Sequence, residues 1–200
     1  MKEPLNLIIS GVGGQGNVLI SGLIGETLVR EGYQVTTGET YGVSQRGGAV
    51  TSHIRISRRQ EYGPLVPDGD ADIVLGLEPL ETLRVLGKHG NPDIRTVTNI
   101  KPIYPINVLS GEAEYPTTDE LKELISALSY TAWFLDASDI AASLGATVLA
   151  NMVMLGALVA TELVPLSKEH IEGQLKVSMS GDRLELNLQA FDKGFKAFGS

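Results

Sequence analysis

Leu5-Asn6-Leu7-Ile8-Ile9-Ser10-Gly11-Val12-Gly13-Gly14-Gln15-Gly16-Asn17 is the stretch whose reading decides the fold. Leu5–Ser10 is a short apolar run that ends in glycines, the pattern of a buried strand. Behind the glycines, Val18, Leu19, Leu23, Leu28 and Val29 recur at helical spacing along residues 17–31, and Gly32 stands where a helix stops. A buried strand, a glycine turn and a helix in that order start an alternating α/β chain.

The alternation continues outward. Gln34–Thr37 reads as a second strand, and Glu39–Gly48 as a polar, glycine-containing loop. In Ala49–Ile56, Val50, Ile54 and Ile56 share one face while Thr51, His53 and Arg55 share the other, as in a strand. A loop rather than a helix leads into this strand, so it can run antiparallel. Residues 57–70 hold two prolines and two glycines and read as loop. Asp72–Gly76 is a further buried strand, and Pro79 suits the first turn of a helix reaching about Lys88. Arg95–Asn99 is strand-like, and residues 100–116 are irregular. Thr118 is a candidate cap for a helix over residues 119–128. Thr131–Asp136 is a strand. Helices over residues 147–162, 167–176 and 183–198 complete the chain, the last with a docking face of Leu184, Leu188, Phe191, Phe195 and Phe198. The expected fold is α/β: a three-layer, mostly parallel, Rossmann-like sheet with helices on both faces, in a single domain over residues 1–200.

Composition narrows the function. The 200 residues carry a formal charge of −8, which argues against nucleic acid or an anionic membrane as partner. With no cysteine, the chain cannot supply a disulfide, a thiolate nucleophile or a cysteine-ligated iron–sulfur cluster. The first apolar run is too short for a secretory leader, so the cytoplasm is the expected compartment. Between Asp139 and Glu162 there is no charged residue. Acids flank that stretch without a basic anchor, and it is read as a helix buried on most of its circumference, not as a membrane span.

Two motifs carry the chemistry. Gly11, Gly13 and Gly16 satisfy G-x-G-x-x-G between a strand and a helix, where free N–H groups and the helix dipole suit an anion. Asn17 is a candidate cap for that helix. Glu39, just past the second strand, is where a dinucleotide-binding protein would hold a ribose hydroxyl. A tight turn with no ligand, a phosphate-bearing ligand and an NAD(P) site all remain open on this motif. The second motif is Gly38-Glu39-Thr40-Tyr41-Gly42-Val43-Ser44-Gln45-Arg46-Gly47-Gly48-Ala49-Val50. There Arg46 could fork onto a phosphate or carboxylate beside two permissive glycines.

Together these motifs resemble the gamma subunit of 2-oxoacid:ferredoxin oxidoreductases. Ser52-His53-Ile54-Arg55-Ile56, Pro64-Leu65-Val66-Pro67, Leu77-Glu78-Pro79-Leu80-Glu81 and Ala150-Asn151-Met152-Val153-Met154-Leu155-Gly156 are similar to the beta subunit of indolepyruvate oxidoreductase. The chain departs from that pattern at Asn17, usually apolar, and at Tyr41, where His is more frequent. Tyr is common there in the pyruvate and 2-oxoglutarate branches, so the oxoacid stays open. The resemblance implies a subunit that is not catalytic alone. Thiamine diphosphate and iron–sulfur clusters would sit on a large partner subunit, which passes electrons to ferredoxin. This chain would bind no cofactor alone but would lie on the coenzyme A side. The candidate binding residues are Gly11, Gly13, Gly14, Gln15, Gly16, Arg46, Gly47 and Gly48. Self-association of the isolated chain stays open.

Nothing else in the chain competes. His53, His89 and His170 are scattered, without a trusted metal-ligand spacing, and His53 reads as a surface or interface residue. Asp68 and Asp70 read as turn residues, and no nucleophile-elbow motif is present.

Overall fold

The computed structural model describes residues 2–42 and 48–198. Its strands are β1 (Leu5–Val12), β2 (Gln34–Tyr41), β3 (Ala49–Ser57), β4 (Ile73–Gly76), β5 (Arg95–Asn99) and β6 (Thr131–Leu135). Its helices are α1 (Asn17–Arg30), α2 (Pro79–His89), α3 (Ile106–Leu109), α4 (Thr118–Ala127), α5 (Ala137–Ala142), α6 (Ala150–Ala160), α7 (Lys168–Ser178) and α8 (Gly181–Phe198).

The strands form one six-stranded sheet in the order β2-β3-β1-β4-β5-β6. β1, β4, β5 and β6 are parallel neighbours, while β3 runs antiparallel to both β1 and β2. The antiparallel reading of residues 49–56 therefore holds. The reason is length: a parallel return needs a crossover of roughly a dozen residues or more, and the link from Tyr41 to Ala49 is too short. That pairing also extends β2 beyond the expected end at Thr37. Glu39, Thr40 and Tyr41 pair with Ser52, Thr51 and Val50, so the first part of the expected loop is strand.

Helices cover both faces. Leu7 and Ile9 of β1 pack with Ile20, Leu23 and Ile24 of α1 and with α6, α7 and α8 in the larger core. Ile8 and Val74 face the other way, onto Val85 and Leu86 of α2 and Ile125 of α4. The helices that follow β1 and β4 thus leave toward opposite faces. In an open α/β sheet the crevice beyond the carboxyl ends of two such strands is the ordinary place for a ligand.

Several boundaries moved for identifiable reasons. Thr117, not Thr118, caps α4, because it forms a capping box with Glu120. Residues 137–142 form α5, where no helix was expected; Asp136 accepts a hydrogen bond from the Asp139 N–H and starts it. Residues 147–149 are a 3-10 turn leading into α6, and α6 ends at Ala160, ahead of Glu162 with φ 57°. Residues 106–109 form the short α3 inside the irregular stretch. In α1, Val18, Leu19 and Val29 are exposed; the buried stripe is Ile20, Leu23, Ile24 and Leu28.

The charge-poor stretch behaves as read: Asn151 to Val159 of α6 are all buried. Among the described residues no helix is long and apolar enough to cross a membrane. α6 packs on α8 by backbone contact at Gly156 and Gly194, which brings the apolar face of α8 onto the core.

Candidate functional site

The glycine loop lies at the crevice between β1 and β4. Gly16 caps α1 at φ 85°, a left-handed conformation that glycine adopts without strain. No side chain caps this helix, and its first turn holds no acid. The first-turn N–H groups of α1 therefore lack intrahelical acceptors, and among the described residues no side chain caps them. Asn17 is not the cap. It sits inside the helix, buried, and its Nδ2 donates to the Val50 carbonyl at 3.0 Å, pinning α1 to β3.

Gln15 is spent on structure at both ends of its amide. Its Oε1 accepts from Val12 N–H at 2.8 Å, and its Nε2 donates to the Leu77 carbonyl at 2.8 Å. The side chain clasps the end of β1 to the end of β4. Gly11 makes room for this clasp, since a Cβ there would stand 2.5 Å from Gln15 Oε1. Gly13 N–H donates to the Gly48 carbonyl at 2.9 Å, so the structure joins the first motif to the end of the second. Arg46 and Gly47 lie outside the described residues.

Two concavities flank the loop and share Val12, Gly13 and Gly14. One is a cleft of about 430 Å³ toward β4, β5 and α6, reaching Leu77, Asn99, Ser138 and Asn151. The other, about 370 Å³, lies toward β3 and reaches Gly16, Tyr41, Gly42 and Gly48. Of the expected site residues, Gly13 and Gly14 border both clefts, Gln15 borders the first, and Gly16 and Gly48 border the second. Gly11 borders neither.

Asn99, Ser138 and Asn151 were missed in the sequence. Asn99 is buried, donates to the Leu77 carbonyl at 3.1 Å and to Ser138 Oγ at 3.2 Å, and accepts from Ala137 N–H at 3.1 Å. Its signal was an amide at the carboxyl end of a buried parallel strand. The signal of Asn151 was one polar residue in an otherwise apolar helix.

Glu39 does not support a dinucleotide. Its carboxylate accepts from the Tyr41 hydroxyl at 2.5 Å and from Ser52 Oγ at 3.4 Å. β3 separates its strand from β1, whereas a dinucleotide fold places that acid on the strand beside β1.

A family model for pyruvate ferredoxin/flavodoxin oxidoreductase matches residues 6–197. The chain belongs to that oxidoreductase family. Indolepyruvate oxidoreductase subunit IorB of Thermococcus kodakarensis is 39% identical over 201 residues, covering 98% of this chain and 96% of that protein. Among solved structures, the gamma subunit of a keto/oxoacid ferredoxin oxidoreductase from Geobacter sulfurreducens superposes with a TM-score of 0.69 at 24% identity, covering 97% of this chain and 98% of that one. The 2-oxoglutarate:ferredoxin oxidoreductase of Magnetococcus marinus, solved with 2-oxoglutarate, coenzyme A and succinyl-CoA, superposes with a TM-score of 0.75 at 24% identity. That superposition covers all of this chain but 31% of the other, so the same fold forms part of a longer polypeptide there.

The oxidoreductase-family chain also holds a feature away from the glycine loop. His53 is not a surface residue; it is 3% exposed, and its ring meets that of buried His89 edge-on with centroids 5.4 Å apart. Sequence spacing hid the pair because β3 and α2 meet only in the fold. Val66 N–H donates to His53 Nδ1 at 3.3 Å, which leaves the proton on Nε2. Burial, then His89, then Lys88 push His53 down from 6.5 to about 4. The sign follows from linkage: on acidification the unfolded chain takes up this proton before the folded one does. Stability is therefore expected to fall between pH 6.5 and about 4, by up to about 3 kcal/mol from this group. Urea unfolding at stepped pH checks it. The slope should flatten in His53→Asn, and an unchanged slope there would assign the loss to other groups.

Proposed function

We propose that this chain is the small subunit of a 2-oxoacid:ferredoxin oxidoreductase of the indolepyruvate type, not catalytic alone, with its glycine loop facing coenzyme A. The observation that carries the reading is the near end-to-end similarity to indolepyruvate oxidoreductase subunit IorB. The complex would decarboxylate an arylpyruvate-like 2-oxoacid oxidatively, form the acyl-CoA and pass two electrons to ferredoxin. Thiamine diphosphate and the iron–sulfur clusters would be held by a large partner subunit. The residues here do not fit a cluster, since there is no cysteine to ligate one.

The loop suits coenzyme A on physical grounds. Available N–H groups at the α1 N-terminus favour a phosphate. Beside them Leu77, Ile103, Val148 and Met154 line the first cleft and offer apolar contact to an extended ligand. Gly13, Gly14, Gly16 and Gly48 would provide close backbone approach, with Arg46 and Gly47 on the adjoining segment.

Anaerobic affinity purification from the native cell tests the assignment, with thiamine and iron assayed in the eluate. A large co-purifying subunit that brings both, and that reduces ferredoxin with an arylpyruvate and coenzyme A, is the expected result. A colourless protein alone after gentle handling at low and moderate salt would overturn it.

A further inference from the structure

β2 ends the sheet, and its outer edge is open. It pairs with β3 over all eight of its residues without a bulge. Among the described residues, no backbone group of β2 bonds to anything outside that ladder. Natural edge strands are blunted by lysine, proline, a bulge or shortness. β2 has none of these, whereas the opposite edge, β6, is five residues long.

The helix beside this edge is uncovered in a matching way. α1 packs over β2 and β3, and a Cβ on Gly25 would stand 3.6 Å from Thr37 and 3.8 Å from Val35. Val18, Gly22, Gly25 and Val29 recur at helical spacing and form one stripe along α1. At the two ends of the stripe, Val18 is 51% and Val29 56% exposed. Between the stripe and the strand lies a groove of about 430 Å³.

We infer that this face binds a second copy of the chain, with β2 pairing antiparallel to β2 about a two-fold axis at Thr37. Thr37 then faces its own copy, and Val35 faces Glu39 of the second copy. Paired strands lie about 4.8 Å apart and α1 lies over β2 and β3, so the two α1 helices run side by side roughly 10 Å apart, a helix-packing distance. The axis passes beside Gly25. The helices therefore meet antiparallel, with each Val18 against Val29 of the other copy, and both exposed valines become buried. Charge selects this occupant. A two-fold lays a patch onto itself, so a patch of one sign repels its copy. The chain carries −8 overall, yet β2 and the stripe hold a single charge, Glu39, which accepts from Tyr41 and Ser52 and lands on Val35. A nearly neutral patch fits itself and offers nothing to a strongly charged partner. Eight strand residues and the outward side of a 14-residue helix approach the roughly 20 residues a side of a stable interface. A complex built on this chain would then contain two copies of it.

The chain has no cysteine, so a single introduced one reports on the axis directly. Paired Cα atoms across an antiparallel ladder lie about 4.5–5.5 Å apart, within disulfide reach. The purified full-length Thr37→Cys variant should oxidise to a covalent dimer. Leu124→Cys, exposed on α4 toward the opposite edge, should not. Sedimentation equilibrium of the wild type should give twice the chain mass without any cross-link. Val18→Glu should weaken association by about tenfold or more, and adding Val29→Lys should recover it, because the acid of one copy then faces the lysine of the other. The two positions are about 16 Å apart along one helix, so the recovery cannot arise within a chain. Circular dichroism screens the variants for folding, and the wild-type mass needs no variant. A monomeric wild type, equal cross-linking through Leu124→Cys, or a folded double variant that stays dissociated would each overturn the pairing. Tagged Thr37→Cys, expressed in the native cell and oxidised in the lysate, names the occupant there. A disulfide between two copies supports the pairing; one to a larger subunit would give the edge to that subunit and overturn it.

Discussion

Gly156→Ala is expected to lower the unfolding free energy by about 3 kcal/mol or to leave no folded protein. α6 and α8 touch through their backbones here. A Cβ on Gly156 would overlap the Phe191 carbonyl oxygen and stand 2.7 Å from Phe195 N. The contact is reciprocal, because a Cβ on Gly194 would overlap the Val153 carbonyl oxygen and stand 2.6 Å from its carbon. A flexible side chain could rotate away from such a clash, but backbone cannot. The helices would have to separate, exposing Phe191, which is fully buried, and loosening Leu184, Leu188 and Phe195 on the same face. Gly22→Ala in α1 is the control. A Cβ there meets nothing within 4 Å, so alanine should stabilise by roughly 0.5–1 kcal/mol through helix propensity alone. Urea unfolding followed by circular dichroism measures both. A Gly156→Ala midpoint equal to the wild type would show that the α6–α8 contact is looser than described.

Glu78→Ala is expected to cost about 3 kcal/mol and to release the wall of the first cleft. The side chain is 1% exposed and serves three donors. One carboxyl oxygen accepts the Glu81 N–H at 2.8 Å and caps α2. The other accepts the Ile103 N–H at 3.4 Å and the Tyr115 hydroxyl. Burial first, then the bond to Glu78, raise the Tyr115 phenol, so it remains a proton donor at any physiological pH. Alanine would strand all three donors at once. Residues 100–116 have little regular structure apart from α3 and depend on these bonds for their position. Hydrogen exchange should therefore show the Ile103 amide losing protection in Glu78→Ala while the amides of β4 keep theirs. Tyr115→Phe removes one of the three bonds and should cost about 1 kcal/mol. Equal stability of Glu78→Ala and the wild type would mean that the bonds do not hold the segment.

Much of this architecture was legible residue by residue. Leu5–Ser10 and residues 72–76 are apolar runs bounded by breakers, Arg95–Asn99 is strand-like through its β-branched Thr96, Val97 and Thr98, and each became a strand within a residue or two. The glycine turn was readable because its spacing between strand and helix leaves few alternatives. The end of β2 was not readable, because nothing local distinguishes Glu39–Tyr41 from a polar loop; pairing with β3 makes them strand. The exposed and buried sides of α1 were confused for a similar reason. Val18, Leu19, Ile20, Leu23, Ile24, Leu28 and Val29 are apolar around too much of the helix for period alone to choose a face.

The sequence by itself determined the alternating α/β order, the place of the glycine turn and the family to which the chain belongs. These depend on local periodicity and on motifs contiguous in the chain. Only the tertiary structure decided which residues meet. It set Asn151 against Gly16, Gly13 against Gly48, and His53 against His89, pairs far apart along the chain. It also turned Gln15 from a candidate ligand contact into a clasp between β1 and β4. A hydrogen bond or a steric overlap is fixed by distances of a few tenths of an ångström, and those are set by the packing of α1, α2 and α6 on the sheet, which no local pattern encodes.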